Sequence, residues 1–133
     1  MDAVLGQELT TLLDAPYVPW SLSPDGVATI RWNPGAIISA DLARKTLVEL
    51  ASLTGGKRAP VLADIRKLKS MTRDGRKHYG TATEMVSAIA LLASSPATQV
   101  IANFFLGLNR PNVPTQMFTD EEKALAWLRR HVV

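Results

Sequence analysis

The sequence predicts an α/β fold with a mixed, mostly parallel sheet, a leading β-hairpin and helices packed on the sheet. Two apolar segments, 60–65 and 87–93, are short and continuous, as is typical of buried parallel strands. Helical patterns alternate with these segments, which favours right-handed crossovers between parallel strands. The sequence Pro24-Asp25-Gly26 between two apolar segments indicates a β-turn, and therefore an antiparallel hairpin at the start of the sheet.

The first half of the chain is predicted to form the hairpin and one amphipathic helix. The hairpin strands are expected over 20–23 and 27–32. Ser39 can accept a hydrogen bond from the first turn of the helix that follows. Gly55-Gly56 can end that helix, because glycine adopts the left-handed conformation at little cost.

The second half is predicted to begin with two helices separated by a strand. Thr72 is expected to cap a helix that runs to Val86. Ser95 followed by Pro96 is typical of a helix start, and the apolar spacing that follows predicts a wide stripe facing the sheet. The predicted stripe consists of Ala97, Val100, Ile101, Phe104, Phe105 and Leu108.

The chain is predicted to end with a strand and a helix. The strand is expected over 114–118. Thr119 with Glu122 has the spacing of a capping box and predicts the helix start.

Length and composition indicate a single domain. The chain has 133 residues, of which 47% are hydrophobic and 20% charged, as is typical of one globular domain. We expect residues 17–133 to form it, after an N-terminal extension over 1–16 that has the leucine spacing of a short helix. No apolar segment reaches the ~18 residues of a membrane span. The absence of cysteine and of a basic secretion signal favours the cytoplasm.

The sequence contains no set of residues typical of catalysis or metal binding. His78 and His131 stand apart from any grouped metal ligands. There is no glycine-rich nucleotide-binding motif and no Gly-x-Ser-x-Gly elbow. We therefore expect no enzyme, no metal and no cofactor.

Positive charge is concentrated in residues 66–78, which we call the basic segment. The whole chain has a net charge of +3, whereas this segment alone carries six cations and one acid, Asp74. The six cations are Arg66, Lys67, Lys69, Arg73, Arg76 and Lys77. Clustered cations favour contact with an anion or an acidic partner; a solvated connector is the alternative. Nucleic acid is disfavoured, because only Tyr79 is at hand for stacking and no nucleic-acid-binding signature is present.

Two predicted helix starts, each after a strand, are candidate anion contacts. Ser94-Ser95 precedes one helix, and Ser70 and Thr72 precede another. Free backbone N–H groups at such places can hold an anion. A phosphate carried by Ser70 or Thr72 could pair with the cations of the basic segment. Plain capping of the helices is the alternative reading.

Three parts of the sequence resemble a known superfamily. They are residues 61–66 with 70–73, residues 91–96 with 100–107, and residues 118–128. They are similar to the STAS superfamily of anti-sigma-factor antagonists, and to a subgroup of small bacterial proteins of unassigned function often labelled STAS/SEC14-like. The stretches Asn-Phe-Phe at 103–105 and Ala-Trp-Leu at 126–128 resemble the subgroup most specifically, and the resemblance covers roughly 25–130.

The resemblance implies a non-catalytic module that binds a partner protein. In the superfamily a kinase phosphorylates a serine at the start of the helix after the central strand, and Ser70 and Thr72 are the nearest equivalents. Lys69 replaces the acidic residue that precedes this serine in antagonists. The SEC14 side of the resemblance implies an apolar ligand pocket, although the apolar stripes of so short a chain are already needed for its core.

The function predicted first is therefore a regulatory protein-interaction module with an unidentified protein partner. A small-molecule or anion-binding domain is the alternative. Self-association into a homodimer is a further expectation, because the hairpin has an open edge and Trp20 or Trp32 could anchor an interface. Burial of both tryptophans in the core is the alternative.

Overall fold

The structure, a computed structural model, describes residues 15–81, 84–107 and 113–133. Strands and helices alternate along this part of the chain. The strands are β1 (Tyr17–Leu22), β2 (Ala28–Trp32), β3 (Ile37–Ile38), β4 (Ala59–Asp64), β5 (Ser70–Met71), β6 (Val86–Leu92) and β7 (Thr115–Phe118). The helices are α1 (Ala40–Thr54), α2 (Arg73–Gly80), α3 (Pro96–Leu106) and α4 (Glu121–Arg129). The helix predicted near the N-terminus, over 1–14, lies outside the described residues.

The main sheet is mixed and mostly parallel, as the sequence predicts. Its strand order is β1-β2-β4-β6-β7, with β1 antiparallel to β2 and every other neighbouring pair parallel. The short strands β3 and β5 form a separate parallel pair. Because β2, β4 and β6 are each followed by a helical crossover, their carboxyl ends lie at one edge of the sheet.

The predicted turn and helix caps form the first half of this arrangement. Gly26, with a φ of 92°, donates its N–H to the carbonyl of Ser23 at 2.9 Å and closes the hairpin turn. Ser39 Oγ accepts from the N–H of Leu42 at 3.2 Å and caps α1. Gly55, with a φ of 65°, ends α1 in the left-handed conformation.

The two faces of the sheet bury different helices. On one face, Ala43 of α1, Tyr79 of α2 and Ala102 of α3 pack in a single core. On the other face, Ala124 and Leu128 of α4 pack against side chains of β4 and β6. Side chains alternate along a strand, so neighbouring residues of β4 serve the two cores in turn.

Helix α2 is shorter than predicted. It begins at the Thr72 cap but ends at Gly80, and Val86 instead begins β6. The helix is fixed by a close approach at Gly75, where a Cβ atom would lie 2.7 Å from the carbonyl oxygen of Ile38. Glycine is therefore required for α2 to pack against the segment that leads into α1.

The stripe predicted for α3 is partly wrong. Ile101 and Phe105 face the core as expected, but the fully buried residues of α3 are Thr98 and Ala102. Ala97, Val100 and Phe104 lie on the exposed side, and Leu108 lies outside the described residues. Apolar residues cover most of this helix, so the spacing of apolar residues does not show which face packs on the sheet. The buried face includes Thr98, a polar residue that can be buried because it is hydrogen-bonded.

The start of α4 also differs by one residue from the prediction. Asp120, not Thr119, is the N-cap, and its carboxylate accepts from the N–H groups of Glu122 and Lys123 at 2.9 and 3.4 Å. Aspartate is at least as good an N-cap as threonine, and its charge also suits the positive end of the helix dipole.

Candidate functional site

The basic segment begins where β4 ends and continues through β5 into α2. It leaves the carboxyl end of a central parallel strand, where ligands of open α/β sheets are often bound. Pairing of β5 with β3 holds its middle part, and the Thr72 hydroxyl, which accepts from the N–H of Gly75 at 3.0 Å, fixes the start of α2. The structure separates Arg66, which joins Arg31 of β2 in ion pairs, from the segment's solvent-facing cations and from Arg76, which contacts an aromatic ring.

The first group is paired with carboxylates. Arg66 donates to both oxygens of Asp64, at 3.0 and 2.8 Å. Arg31, on β2, donates to Asp64 at 2.9 Å and to Glu121, at the start of α4, at 2.5 Å. We call these four residues the ion-pair cluster. It ties two strands and a helix together at the carboxyl edge of the sheet.

Asp64 is the centre of the ion-pair cluster. Its side chain is only 10% exposed, whereas those of Arg31 and Arg66 are 39% and 41% exposed. Burial raises the pKa of this carboxyl, but hydrogen bonds from Arg66 and Arg31 outweigh burial and hold its pKa below the usual value. Asp64 is therefore ionised at neutral pH and supports the fold as an anion.

Sequence reasoning missed the ion-pair cluster. Arg31 and Glu121 are 90 positions apart in the chain, so no local spacing could pair them. One signal in the sequence could have indicated this cluster: Asp64 ends a buried apolar strand. A carboxylate in such a position needs a cation as its partner. Arg66, predicted as a partner or anion contact, is paired with Asp64 and is also 41% exposed, so its contact with a partner stays a prediction.

The second group of cations faces solvent. Lys67, Lys69, Arg73 and Lys77 are exposed, and none makes an ion pair with another residue in the described part of the chain. Asp74, also exposed, is three residues before Lys77 on the same helix, a spacing at which side chains can meet, but the two make no ion pair. Exposed cations without a counter-charge produce a positive local potential.

Arg76 connects α2 with α3. Its guanidinium lies 4.9 Å from the centre of the Phe104 ring, a cation–π contact. Tyr79, three residues after Arg76 on α2, packs on the inner side, with its ring 5.8 Å from that of Phe105 on α3. Arg76 of α2 and Phe104 of α3 are therefore neighbours on the outside of the molecule.

The outer face of α3 is uncharged and partly apolar. Val100 is 52% exposed and Phe104 57% exposed, and they lie one turn apart. The chain has no charged residue from Met85 to Asn109, so nothing on α3 can form an ion pair. We call Arg73, Arg76, Lys77, Val100 and Phe104 the α2/α3 surface. Large apolar side chains that share an exposed face often mark an interaction site.

The predicted serine and threonine sites are engaged as helix caps and strand residues. Ser70 lies half-buried in β5, opposite Ile37. The N–H groups of Ser94 and Ser95 both donate to the hydroxyl of Thr98 at 3.0 Å. Those two N–H groups already have an acceptor, so capping of α3 accounts for them. Among the described residues, no hydrogen bond or ion pair joins Ser94 or Ser95 to the basic segment, and a shared anion contact stays a prediction.

An apolar cavity lies between the sheet and helices α1 to α3. Its volume is about 70 Å³, and its walls include Trp20, Trp32, Ala63 and Phe105. No buried polar side-chain atom lacks a hydrogen-bond partner in the described part of the chain. The cavity is therefore apolar, and it shows that the core residues leave space between them.

Both tryptophans of the hairpin belong to the wall of this cavity. Trp32 is 4% exposed, and Trp20 donates its indole N–H to the carbonyl of Thr46 at 3.0 Å. The structure therefore fits the alternative that both tryptophans belong to the core. Neither lies on an exposed surface where it could anchor a dimer interface.

Tyr79 also borders the cavity, beside α1. Its hydroxyl lies 2.6 Å from that of Thr46. Burial raises the pKa of Tyr79 to about 12, so this phenol stays protonated over the physiological range.

The described residues contain no group of three or more His, Cys, Asp or Glu side chains that could hold a metal ion. Across the same ranges, no helix is long and apolar enough to cross a membrane. The polar side chains that converge most closely are those of the ion-pair cluster, and their charges satisfy each other.

The class of protein follows from the fold. A crystal structure of an uncharacterized protein from the DUF3478 family with a SpoIIAA-like fold, from Shewanella loihica PV-4, is similar to this chain with a TM-score of 0.60. The two share 18% sequence identity over 82% of this chain and 90% of the other. The comparison confirms the predicted STAS-like α/β fold and, at this identity, shows the fold alone.

Within that class, the chain belongs to the family described as "Domain of unknown function (DUF7793)", whose model matches residues 20–132. A protein with unknown function from Arthrobacter sp. FB24 is 37% identical over 83% of this chain and 91% of its own, with a TM-score of 0.33. No curated protein matches the sequence. The family description agrees with the predicted resemblance to small proteins of unassigned function.

Proposed function

We propose that the protein is a non-catalytic interaction module that binds an acidic partner protein through the outer cations of its basic segment. One observation carries the proposal: Lys69, Arg73 and Lys77 are exposed and make no ion pair with another described residue, while Arg66 in the same segment is paired with Asp64. Cations that the fold does not need can attract and orient an acidic partner.

The test is a comparison of two triple charge reversals with the same change in net charge. Lys69→Glu with Arg73→Glu and Lys77→Glu removes the outer cations. Lys57→Glu with Lys123→Glu and Arg130→Glu reverses exposed cations elsewhere. Each variant and the wild type are immobilised in equal amounts, and the proteins they capture from native-host lysate are quantified by mass spectrometry.

We expect the first variant to lose proteins that both the wild type and the second variant retain. Thermal melts followed by circular dichroism check that both variants remain folded. Equal capture by all three proteins would contradict the proposal. Equal loss in both variants would show that net charge, rather than this surface, controls capture.

The apolar cavity favours a second candidate function, the binding of a small apolar molecule. The cavity lies within the core and has mainly aliphatic and aromatic walls. Its present volume, about 70 Å³, is smaller than an acyl chain needs, so a longer ligand would have to separate the helices from the sheet.

A thermal-shift series with straight-chain alcohols and fatty acids tests this second candidate. A ligand at about 100 times its Kd should stabilise the protein by about 2.7 kcal/mol. Ala63→Ile fills part of the cavity and should abolish the shift. An absent shift in the wild type, or the same shift in Ala63→Ile, would exclude the cavity as the site.

Phosphorylation of Ser70 or Thr72 stays a prediction. A phosphate on Thr72 would sit beside Arg73 at the start of α2 and would replace the present hydroxyl cap. It would also reduce the positive potential of the outer cations, and partner capture should then fall. Incubation with host lysate and labelled ATP, using Ser70→Ala and Thr72→Ala as controls, would reveal a modification.

A further inference from the structure

We propose that the partner presents an acidic amphipathic helix, which lies along α3 with its apolar side on Val100 and Phe104 and its acidic side towards α2. This inference rests on the proposed function and adds two claims to it: apolar contact with α3, and a helical form of the bound segment.

The spacing on α3 indicates the form of the occupant. Val100 and Phe104 are four residues apart, so they lie about 6 Å apart along the helix axis, on one side of it. Apolar side chains of a second helix recur at the same interval. The surface consists of helix faces, whose backbone groups are already bonded within the helices, so the partner would be recognised through side chains rather than by strand addition.

The charge distribution indicates the chemistry of the occupant. Arg76 lies against Phe104, Arg73 and Lys77 are exposed on the same helix as Arg76, and α3 itself carries no charge. A helix with carboxylates along one border of its apolar stripe would match this one-sided arrangement. Arg76 is already held against Phe104, so part of the cost of ordering this arginine has been met before binding.

A second copy of the chain fits this surface less well. Two copies that met through their α2/α3 surfaces would bring the same cations together, and like charges oppose such contact. A lipid bilayer also fits less well, because an interfacial helix generally has cations across its own polar face, whereas α3 carries no charge and the cation beside it, Arg76, belongs to α2.

The test uses nuclear magnetic resonance of the ¹⁵N-labelled full chain with synthetic peptides. The probe is an 18-residue peptide designed as an amphipathic helix, with leucines at helical spacing and glutamates on one flank. One control peptide has the same composition in scrambled order. A second has lysine in place of each glutamate. Chemical-shift changes locate the contact and also detect weak binding.

We expect the designed peptide to shift resonances of α2 and α3 and to bind at least about tenfold more tightly than either control peptide. Val100→Ser with Phe104→Ser should weaken binding by a similar factor. Val48→Ser removes a valine of α1 that is 65% exposed, and it should leave peptide binding unchanged.

Other outcomes overturn the inference and separate it from the proposed function. The designed and scrambled peptides could bind equally, with binding lost only when Lys69, Arg73 and Lys77 are reversed. That result would support an acidic partner but contradict a helical form and an apolar contact with α3. Shifts mapped to another surface would contradict both proposals. Tighter binding to phosphatidylglycerol vesicles than to the designed peptide would show that the surface binds lipid instead of a helix. A dimer in sedimentation that is abolished by Val100→Ser with Phe104→Ser would show that a second copy of the chain binds there.

Discussion

Two groups of cations in this molecule differ in their surroundings, although Arg66 of the first group is only seven residues from Arg73 of the second. In the ion-pair cluster, Arg31 and Arg66 are bound to Asp64, and Arg31 also reaches Glu121. On α2, Arg73 and Lys77 face solvent with no ion pair to another described residue. The difference teaches that only the first group contributes to holding the fold together. The second group makes no ion pair within the fold, and this is why we propose that it binds a partner.

Helices α3 and α4 differ in a similar way. Both pack on the sheet through small and aliphatic residues. The exposed side of α4 carries Glu122, Lys123 and Arg129, as is usual for a surface helix, whereas the exposed side of α3 carries Val100 and Phe104. A solvated helix rarely needs two large apolar side chains on its outer face, which supports an interface at α3.

The largest effect on stability should come from Asp64→Ala. It leaves two arginines without their central carboxylate, and we expect the free energy of unfolding to fall by about 2 kcal/mol. This is below the value for a fully buried pair, because both arginines are partly exposed and screened by water. Urea denaturation measures it. Glu84→Ala, at an exposed turn residue, is the control and should stay within about 0.5 kcal/mol.

A smaller effect should separate the two groups of cations directly. Arg31→Met should lower the free energy of unfolding by about 1 kcal/mol, because Glu121 and Asp64 lose a donor. Arg73→Met should change it by less than about 0.5 kcal/mol. The same urea measurement compares both. Equal losses would mean that Arg73 has a structural partner and that the distinction drawn here is wrong.

Acid should weaken the ion-pair cluster in a defined direction. The pKa of Asp64 is lower in the folded than in the unfolded chain, so its contribution is fully present above the unfolded value of about 3.9 and is lost as the pH falls through the folded pKa. The free energy of unfolding should therefore drop below about pH 4. The free energy of unfolding should fall less steeply with pH in Asp64→Asn than in the wild type. The same slope in both proteins would contradict a stabilising role for the ionised Asp64.

The smallest effect on stability is expected for the outer cations. Lys69→Glu, Arg73→Glu and Lys77→Glu, each tested alone, should change the free energy of unfolding by no more than about 0.5 kcal/mol. Thermal and urea unfolding should agree on this. A loss of about 2 kcal/mol in any of them would show that the fold depends on that cation.

The sequence was sufficient for most of the fold because its signals are local. The Pro-Asp-Gly turn and the caps at Ser39, Thr72 and Ser95 each act within a few residues, and all are present as predicted. The inner face of α3 was not predictable from periodicity, because apolar residues surround most of the helix and Thr98 takes a buried position through its bonds to Ser95.

The candidate site was predictable only in part. The excess of cations in the basic segment is visible in composition. Their division into engaged and free groups is not, because Arg31 and Glu121 reach the segment from distant parts of the chain. The exposure of Phe104 and its contact with Arg76 likewise depend on how two helices pack, which no short pattern encodes.

The most direct test places a photo-reactive benzoylphenylalanine at position 104 and, as a matched control, at position 48 of the full chain in its native host. Both positions are exposed and lie on different helices. After illumination, mass spectrometry identifies the cross-linked peptides. The account predicts one dominant cross-link from position 104, to an acidic amphipathic segment of another protein, and its loss when Lys69, Arg73 and Lys77 are reversed. The same cross-links from positions 104 and 48, or a position-104 cross-link that survives charge reversal, would contradict it.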